Sequence, residues 1–444
     1  MLSSGTRDPL GFEVLWTNFG AAVFPYTTTQ SVGAINYVVV SVLQHWIDEY
    51  VREKELPRNL QNEDEQVETL EALIVVAEQV VAYSVLENHE DTEHLYGIST
   101  ARKQFGEDVR VGPFRDQRIL KRQRGNGLFG RYEGPLTKMD VFEDGWDHHH
   151  RARVTSDWPE WLHRSFCGGS PDPEYSVARD ALFEVFDELL MESNAFTAPF
   201  TQFADNRGAV QAMCRLRSRE SIFQVAERLK DAMEVSNDHD DAPQRHVWTA
   251  FQTIDRDEAE NISPHLVFKT AIRQSSSKST RLLQDLLDLE EFLAPMEITF
   301  HRLWHVSDVI DEDEVVNYCW DRLQSSKTAD GRGLKELANR DAISQSDTAY
   351  QRLHKLGDLL GSATDTEEFV GGLVDYHRGI MDDRDANPWV EVDGRKTVPL
   401  NEAFDSSDHE DCLEETRLWG SRDYYLGAFK KFRQDLVHQQ ESKA

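Results

Sequence analysis

Apolar side chains recur at helical spacing along most of this 444-residue chain. In the segment 64–87 glutamates fill several of the positions between the apolar ones, which are Val67, Leu70, Leu73, Ile74, Ala77, Val80, Val81 and Leu86. This spacing puts the apolar side chains on one face of a helix that packs against other helices. Comparable patterns predict helices over 10–22, 32–52, 175–192, 209–217, 221–234, 277–324 with an interruption near Pro295, 348–360, 367–380 and 422–438. The chain is therefore predicted to be mainly α-helical.

One clear strand signal stands near the C-terminus, in the segment 389–400. Two short runs, 390–392 and 397–400, flank the pair Asp393-Gly394. An Asp-Gly pair suits the tight turn of a β-hairpin, because both residues tolerate the backbone angles that such a turn requires. The sequence therefore predicts a small β-hairpin here.

The length of the chain exceeds what one ordinary hydrophobic core supports, so two or three helical domains are expected. Changes of composition and polar stretches suggest where they meet. The predicted division is an N-terminal helical domain over 1–144, a central helical domain over 145–330, and a C-terminal helical region over 331–444 that contains the hairpin.

The charge balance is the most unusual property of the composition. The chain has 80 acidic and 48 basic residues, a net charge of −32, and only 14 of the basic residues are lysine. Self-repulsion of this size opposes folding in dilute salt, whereas at about 1 M salt charges are screened within roughly 3 Å. We interpret the excess as adaptation to a salt-rich cytoplasm such as that of haloarchaea. The alternative is a basic partner, but the carboxylates are spread along the chain and form no acidic tail.

The sequence favours a cytoplasmic protein without a membrane anchor. It has no charged-then-apolar leader, and its most apolar run, 32–47, is too short and too polar to span a bilayer. Its cysteines are far apart and include no Cys-x-x-Cys pair: Cys167, Cys214, Cys319 and Cys412. Neither a zinc ribbon nor a disulfide framework is expected, and the thiols are predicted to be buried and inert.

Residues 101–139 form a basic island, in which ten basic and four acidic side chains give a net charge of +6. Helical spacing would put four of the cations on one helix face: Arg115, Arg118, Lys121 and Arg122. Two further arginines alternate with aromatic residues directly after them: Arg124, Phe129, Arg131 and Tyr132. Arginines interleaved with aromatic rings suit phosphate contact and base stacking. These eight residues are the predicted nucleic-acid-binding set, with a protein partner or internal ion pairs as alternatives.

A glycine-rich segment within the island, 125–130, has the Gly-x-Gly-x-x-Gly spacing of dinucleotide-binding loops. Neither a buried strand before it nor an acidic residue about 20 positions later supports that function. The segment is interpreted as a flexible turn beside a cationic helix, and no cofactor is predicted.

A second candidate site lies on the predicted helix around residue 300. Four potential metal ligands would share one face of it: Glu297, His301, His305 and Asp308. The glutamate that metalloproteases place between two such histidines is missing. Neighbouring Phe300 and Trp304 favour helix packing instead, so a metal-dependent nuclease or phosphohydrolase stays the alternative hypothesis.

Three segments resemble one group of proteins. They are the opening 8–37 with Asp8-Pro9-Leu10-Gly11 and Phe24-Pro25 followed by three threonines, the glycine-rich segment 127–136, and the closing helix from Arg422. Together they resemble helical proteins of unknown function encoded in prokaryotic anti-phage defence islands. The chain departs from them with Tyr26, where glycine is usual, and with Gln30-Ser31-Val32, where an arginine-containing run is common.

The resemblance implies a context of antiviral defence or modification-dependent restriction, and it implies no catalytic residues. With the basic island, it leads us to expect a non-catalytic helical subunit that contacts DNA or a catalytic partner among other subunits of a defence complex. An assembly scaffold without nucleic-acid contact and the metal-dependent enzyme stay as alternatives.

Overall fold

A computed structural model describes residues 8–28, 33–56, 63–90, 92, 95–106, 109–139, 141–143, 153–154, 173–191, 197–217, 243–254, 264–275, 277–305, 313–325, 331–344, 346–393, 396–399 and 424–441. The protein is mainly α-helical, as predicted. Its chain divides into two compact units, each of which consists of two separate segments of the sequence. Unit 1 comprises Met1–Phe24 and Asp240–Leu426, and unit 2 comprises Pro25–His239 and Gly427–Ala444. The predicted boundaries after residues 144 and 330 do not coincide with the ends of these units.

The elements of unit 2 are mostly helices with very short strand pairs. In chain order they are α2 (Ala34–Glu53), α3 (Glu63–Glu87), α4 (Ile98–Gln104), β1 (Arg110–Val111), α5 (Gln123–Asn126), α6 (Leu128–Lys138), β2 (Phe142–Glu143), β3 (Arg153–Val154), α7 (Pro173–Met191), β4 (Ala198–Pro199), α8 (Phe200–Ala204) and α9 (Arg207–Arg215). Strand β1 pairs antiparallel with β4, and β2 pairs antiparallel with β3.

Helix α3 is the centre of unit 2, where it contacts α2, α4, α5, α7, α8, α9 and β1. By length and composition alone, its segment Val67–Glu87 is apolar enough to cross a membrane. Of its most apolar window, 94% is buried inside the protein. This apolar surface is therefore already covered by the neighbouring elements, as in the core helix of a globular unit.

The first helix of unit 1 is α1 (Glu13–Val23), and the second segment of the unit starts at Asp240. Its further elements are α10 (Pro243–Thr253), α11 (Pro264–Gln274), α12 (Ser277–His305), α13 (Glu314–Ser325), α14 (Arg332–Ala338), α15 (Asp341–Ser344), α16 (Asp347–Ser362), α17 (Thr366–Asp383), β5 (Val390–Asp393) and β6 (Lys396–Pro399). Helix α12 is its centre, with contacts to α1, α10, α11, α13, α14, α17 and β6. Helix α18 (Tyr424–Glu441) closes the chain and belongs to unit 2 from Gly427 onward.

The predicted interruption near Pro295 is wrong, because α12 runs through this residue. Proline removes one backbone hydrogen bond from a helix. Its neighbours Leu293, Ala294 and Met296 are buried, so packing holds the helix together at this point. The predicted helix over 277–324 corresponds to two described helices, α12 and α13, and the helix predicted over 221–234 lies outside the described residues.

The predicted β-hairpin is confirmed. Strands β5 and β6 pair antiparallel, with Val390 opposite Pro399 and Asp393 opposite Lys396. The hairpin is fixed to unit 1 through α12 and α17, which contact β6 and β5 respectively.

The first described residues are anchored within unit 1 by polar contacts. Oxygens of the buried Asp8 accept the N–H groups of Phe12 (2.9 Å) and Glu13 (3.1 Å), and this caps the start of α1. Arg384 donates to Asp8 Oδ2 (3.3 Å), and Arg352 donates to the carbonyl of Gly11. The Asp-Pro-Leu-Gly opening is therefore part of the core structure of unit 1.

Candidate nucleic-acid interface

The segment 113–122 holds three exposed cations of the basic island, and we call it the cationic turn; Arg102, Lys103, Arg110 and Lys138 of the island are exposed outside it. The cationic turn consists of consecutive turns between β1 and α5. The prediction that Arg115, Arg118, Lys121 and Arg122 share a helix face is therefore wrong. The carbonyl of Phe114 accepts two N–H groups, those of Gln117 and Arg118 (both 3.0 Å), but side chains take the next backbone groups and no helix continues.

Two side-chain amides hold the first half of the cationic turn. Gln79 of α3, fully buried, donates Nε2 to the carbonyls of Gly112 (2.9 Å) and Gln117 (3.1 Å) and accepts the Gly112 N–H on Oε1 (2.8 Å). Gln104 of α4 donates to the carbonyl of Asp116 (2.9 Å). Amide side chains that satisfy backbone groups in this way fix a loop in one conformation, and Gln79 does so from a buried position.

Gln123 and Glu78 hold the second half. Gln123 Oε1 accepts the N–H of Ile119 (3.2 Å), while its Nε2 donates to Val75 O and to Glu78 Oε2, both at 3.1 Å. Glu78 also accepts the N–H of Phe129 (2.8 Å) in the first turn of α6. Both side chains are buried, so α3 carries a connected set of polar groups beneath the cationic turn.

The glycine-rich segment 125–130 spans the junction of α5 and α6, so the predicted flexible turn is wrong. A Cβ on Gly127 would overlap Glu78 Oε2 and lie 2.7 Å from Glu78 Cδ. Glycine at this position therefore lets an acidic side chain of the same protein approach the N-terminus of α6. In dinucleotide-binding loops the corresponding place holds a phosphate, whereas here the Glu78 carboxyl group fills it.

Three cations of the turn face solvent. Arg115, Lys121 and Arg122 are exposed, and within the described part of the chain their side chains form no hydrogen bond or ion pair. Arg118 is half-buried and folds back, since its Nε donates to the carbonyl of Pro113. The side chain of Arg124 lies outside the described residues.

Arg131, at the edge of the island, is engaged with its own surroundings. Its guanidinium carbon lies 3.7 Å from the ring centroid of Tyr96, and its Nε donates to Asn126 O (2.7 Å). It therefore presents a guanidinium plane already stacked on an aromatic ring.

The predicted stacking by Phe129 and Tyr132 is wrong, because both side chains are buried in unit 2. Tyr132 accepts a hydrogen bond from Asn36 (3.0 Å) and meets the ring of Tyr37 edge-on at 4.8 Å. The exposed aromatic residue is Phe114, at 44% of its surface, and no other large apolar side chain is exposed among the described residues of unit 2. In the sequence, Phe114 directly follows Gly112-Pro113 and fits no helical spacing of apolar residues, which is the feature that could have indicated its exposure.

The second candidate site, on α12, is built around packed aromatic rings. Phe300 lies 4.5 Å from the ring of His377, and Trp304 lies 4.4 Å from the ring of Trp389. His301 Nε2 stands 3.9 Å from Glu297 Oε1. Asp308 and the side chain of His305 lie outside the described residues. Among the described side chains, no group of three or more His, Cys, Asp or Glu could hold a metal ion.

The described cysteines match the expectation of inert thiols. Cys214 and Cys319 are both buried. Burial raises the pKa of Cys214 to about 12, and its thiol donates to the carbonyl of Ser84 (3.3 Å). A thiol held in its neutral form is a poor nucleophile.

No known protein family matches the chain, and neither a curated protein nor a solved structure matches it. The function is therefore argued from the charges and contacts of the described residues.

Proposed function

We propose that this chain is a non-catalytic helical subunit that contacts nucleic acid through the cationic turn. The observation that carries the proposal is the exposure of Arg115, Lys121 and Arg122, without partners among the described residues, in a chain of net charge −32. Such a chain repels polyanions over most of its surface. Unpaired cations on a turn fixed by buried hydrogen bonds supply a local site for phosphate groups.

Two of the three cations are arginines, which suits phosphate contact in concentrated salt. The guanidinium group is planar and forms two parallel hydrogen bonds to a phosphate, whereas an ammonium group acts as a point charge. Long-range attraction is screened within roughly 3 Å at 1 M salt, so only direct contacts persist there. The shortage of lysine in the whole chain supports a salt-rich cytoplasm as the working environment.

The wider context of the proposal rests on the resemblance to helical proteins of defence islands. It supports a role in an antiviral or DNA-modification-dependent restriction complex, in the cytoplasm and beside other subunits. DNA is the expected nucleic acid, and a catalytic partner would supply any chemistry. No membrane contact is included in the proposal.

Removal of the three exposed cations tests the proposed contact. We expect the triple variant Arg115→Ala, Lys121→Ala, Arg122→Ala to bind an oligonucleotide roughly tenfold more weakly at about 0.3 M KCl, because each lost phosphate contact reduces counterion release. Fluorescence anisotropy with a labelled 20-nucleotide DNA measures this affinity.

A matched control removes the same charges elsewhere. Lys269, Arg273 and Arg322 are exposed residues of unit 1, and their change to alanine also removes one lysine and two arginines. The control is expected to bind as the wild type does. If both triple variants lose affinity equally, net charge alone governs binding and the cationic turn has no special role.

The metal-dependent alternative is tested by metal analysis of the purified protein. The ordinary packing of Phe300 and Trp304 leads us to expect no stoichiometric transition metal, and His301→Ala is expected to leave the metal content unchanged. A full equivalent of metal that disappears in this variant would instead support the enzyme hypothesis. In the scaffold hypothesis the island docks an acidic neighbour, so a protein complex that survives nuclease treatment and that the triple variant fails to form would support it.

A further inference from the structure

We infer that the cationic turn recognises single-stranded nucleic acid, with an unpaired base stacked on the ring of Phe114. This inference rests on the proposed function and adds the class of nucleic acid. It follows from the position of Phe114 and from a second planar group beside the turn.

Phe114 combines exposure with a fixed backbone. Its side chain is 44% exposed and directly precedes the exposed Arg115. Its carbonyl accepts two N–H groups, and the carbonyl of the preceding Pro113 accepts the Arg118 guanidinium. An exposed apolar ring costs solvation, and one on a fixed backbone loses little conformational freedom when a base stacks on it.

A second planar surface lies beside the other end of the cationic turn. Tyr96 directly precedes Gly97, and a Cβ on Gly97 would lie only 2.8 Å from the carbonyl of Ile119. The stack of Arg131 on Tyr96 is therefore next to this end of the turn. Aromatic rings and guanidinium planes along a cationic surface are the groups on which successive unpaired bases stack.

An exposed ring discriminates between single strands and duplexes. In a duplex the bases already stack on one another, and separating or extruding them costs free energy. An unpaired base presents its face without this cost, and stacking on an aromatic ring typically strengthens binding severalfold to a hundredfold per base. Phe114 therefore adds affinity for a single strand, whereas the cations contact phosphate groups of single strands and duplexes alike.

Three amides next to the turn are engaged within the protein, whereas Gln117 and the exposed Asn126 show no side-chain hydrogen bond among the described residues. Gln79 and Gln123 are buried and bonded to backbone or side-chain groups on both amide atoms. Gln104 accepts the Tyr83 hydroxyl (3.0 Å) and donates to Asp116 O. Base identity is read by hydrogen bonds to base edges, whereas stacking accepts every base because each has a π-face.

The test compares two DNA ligands of equal phosphate number by fluorescence anisotropy. One is a labelled single strand of thymidines, and the other is a labelled duplex. The wild type is expected to bind the single strand at least tenfold more tightly. Phe114→Ala is expected to lose about tenfold for the single strand and nothing for the duplex, while Phe114→Trp retains the single-strand affinity.

The outcomes separate the inference from the proposed function. Equal binding of both ligands by the wild type, together with an unchanged Phe114→Ala variant, overturns single-strand recognition but leaves the proposed nucleic-acid contact in place. Failure of the wild type to bind either ligand overturns both.

Discussion

Replacing Glu78 by alanine is expected to lower the free energy of unfolding of unit 2 by about 4 kcal/mol. In the wild type the Glu78 carboxyl group accepts hydrogen bonds from the backbone N–H of Phe129 and from Nε2 of Gln123. The change removes both of these acceptor atoms. Each buried donor left unsatisfied costs about 1–3 kcal/mol, and the cavity adds to this. Chemical denaturation in molar KCl, followed by hydrogen exchange of unit 2, measures the loss.

A glutamate on the same helix provides the control for this prediction. Glu71 is exposed, so Glu71→Ala is expected to change stability by no more than about 0.5 kcal/mol. Glu78→Gln, which keeps one acceptor oxygen, is expected to lie between the two. A Glu78→Ala protein as stable as the Glu71→Ala protein would show that the Glu78 carboxyl group does not hold α6 and Gln123.

The same variant links stability to the candidate interface. The cationic turn depends on Gln123, which in turn contacts Glu78. Glu78→Ala is therefore expected to weaken nucleic-acid binding, although it removes an acidic group and would strengthen binding if only net charge mattered. This opposite sign distinguishes a shaped site from a simple excess of positive charge.

His377 is expected to make unit 1 sensitive to acid. Its ring is buried. Its Nδ1 lies 2.8 Å from Pro9 O, and its Nε2 accepts the backbone N–H of Trp389 at 2.9 Å. Burial lowers its pKa to about 4, from the ordinary value of 6.5. Between these values the unfolded chain binds a proton that the folded chain does not, so stability is full above about pH 6.5 and falls as the pH falls toward 4.

The size of this effect follows from the difference in pKa. Each pKa unit corresponds to about 1.4 kcal/mol, so the histidine accounts for a loss of about 3 kcal/mol across this range. His377→Gln is expected to be less stable than the wild type at pH 7.5, and the difference is expected to shrink by about this amount near pH 4. Denaturation curves recorded at several pH values measure it.

The many carboxylates also make stability depend on pH, but they titrate in both the wild type and His377→Gln. Their contribution therefore cancels in the difference between the two free energies of unfolding. His89→Gln, at an exposed site of unit 2, serves as the control and is expected to follow the wild type. If the stabilities of wild type and His377→Gln run parallel from pH 7.5 to pH 4, His377 is not held in the neutral form.

Helical periodicity predicted most of the fold because apolar side chains recur at helical spacing along whole helices, including α3, which is buried around most of its circumference. The apolar spacing in α3 and the Asp-Gly pair of the hairpin both act over a few neighbouring residues, and such signals are visible in a single sequence. Pro295 misled the prediction because its local preference is overcome by the packing of α12. Packing partners distant in sequence are not visible in a local pattern.

The candidate interface was predicted as a region, but its members were only partly right. Charge count located the island, since an excess of +6 in an acidic chain needs no structure to be recognised. Whether an aromatic residue is a core or a surface residue depends on tertiary contacts. For that reason Phe129 and Tyr132, which are buried, were predicted in the place of the exposed Phe114. The contact between Glu78 and Gly127 joins residues 49 positions apart and leaves no local signal.

The dependence of nucleic-acid affinity on salt tests the central claim most directly. The logarithm of the association constant is measured against the logarithm of KCl concentration for the wild type, the triple variant at Arg115, Lys121 and Arg122, and the matched unit 1 control. Three lost phosphate contacts predict a slope that is shallower by about 2 for a single strand, with the control unchanged. Equal slopes for wild type and triple variant would contradict a phosphate contact at the cationic turn.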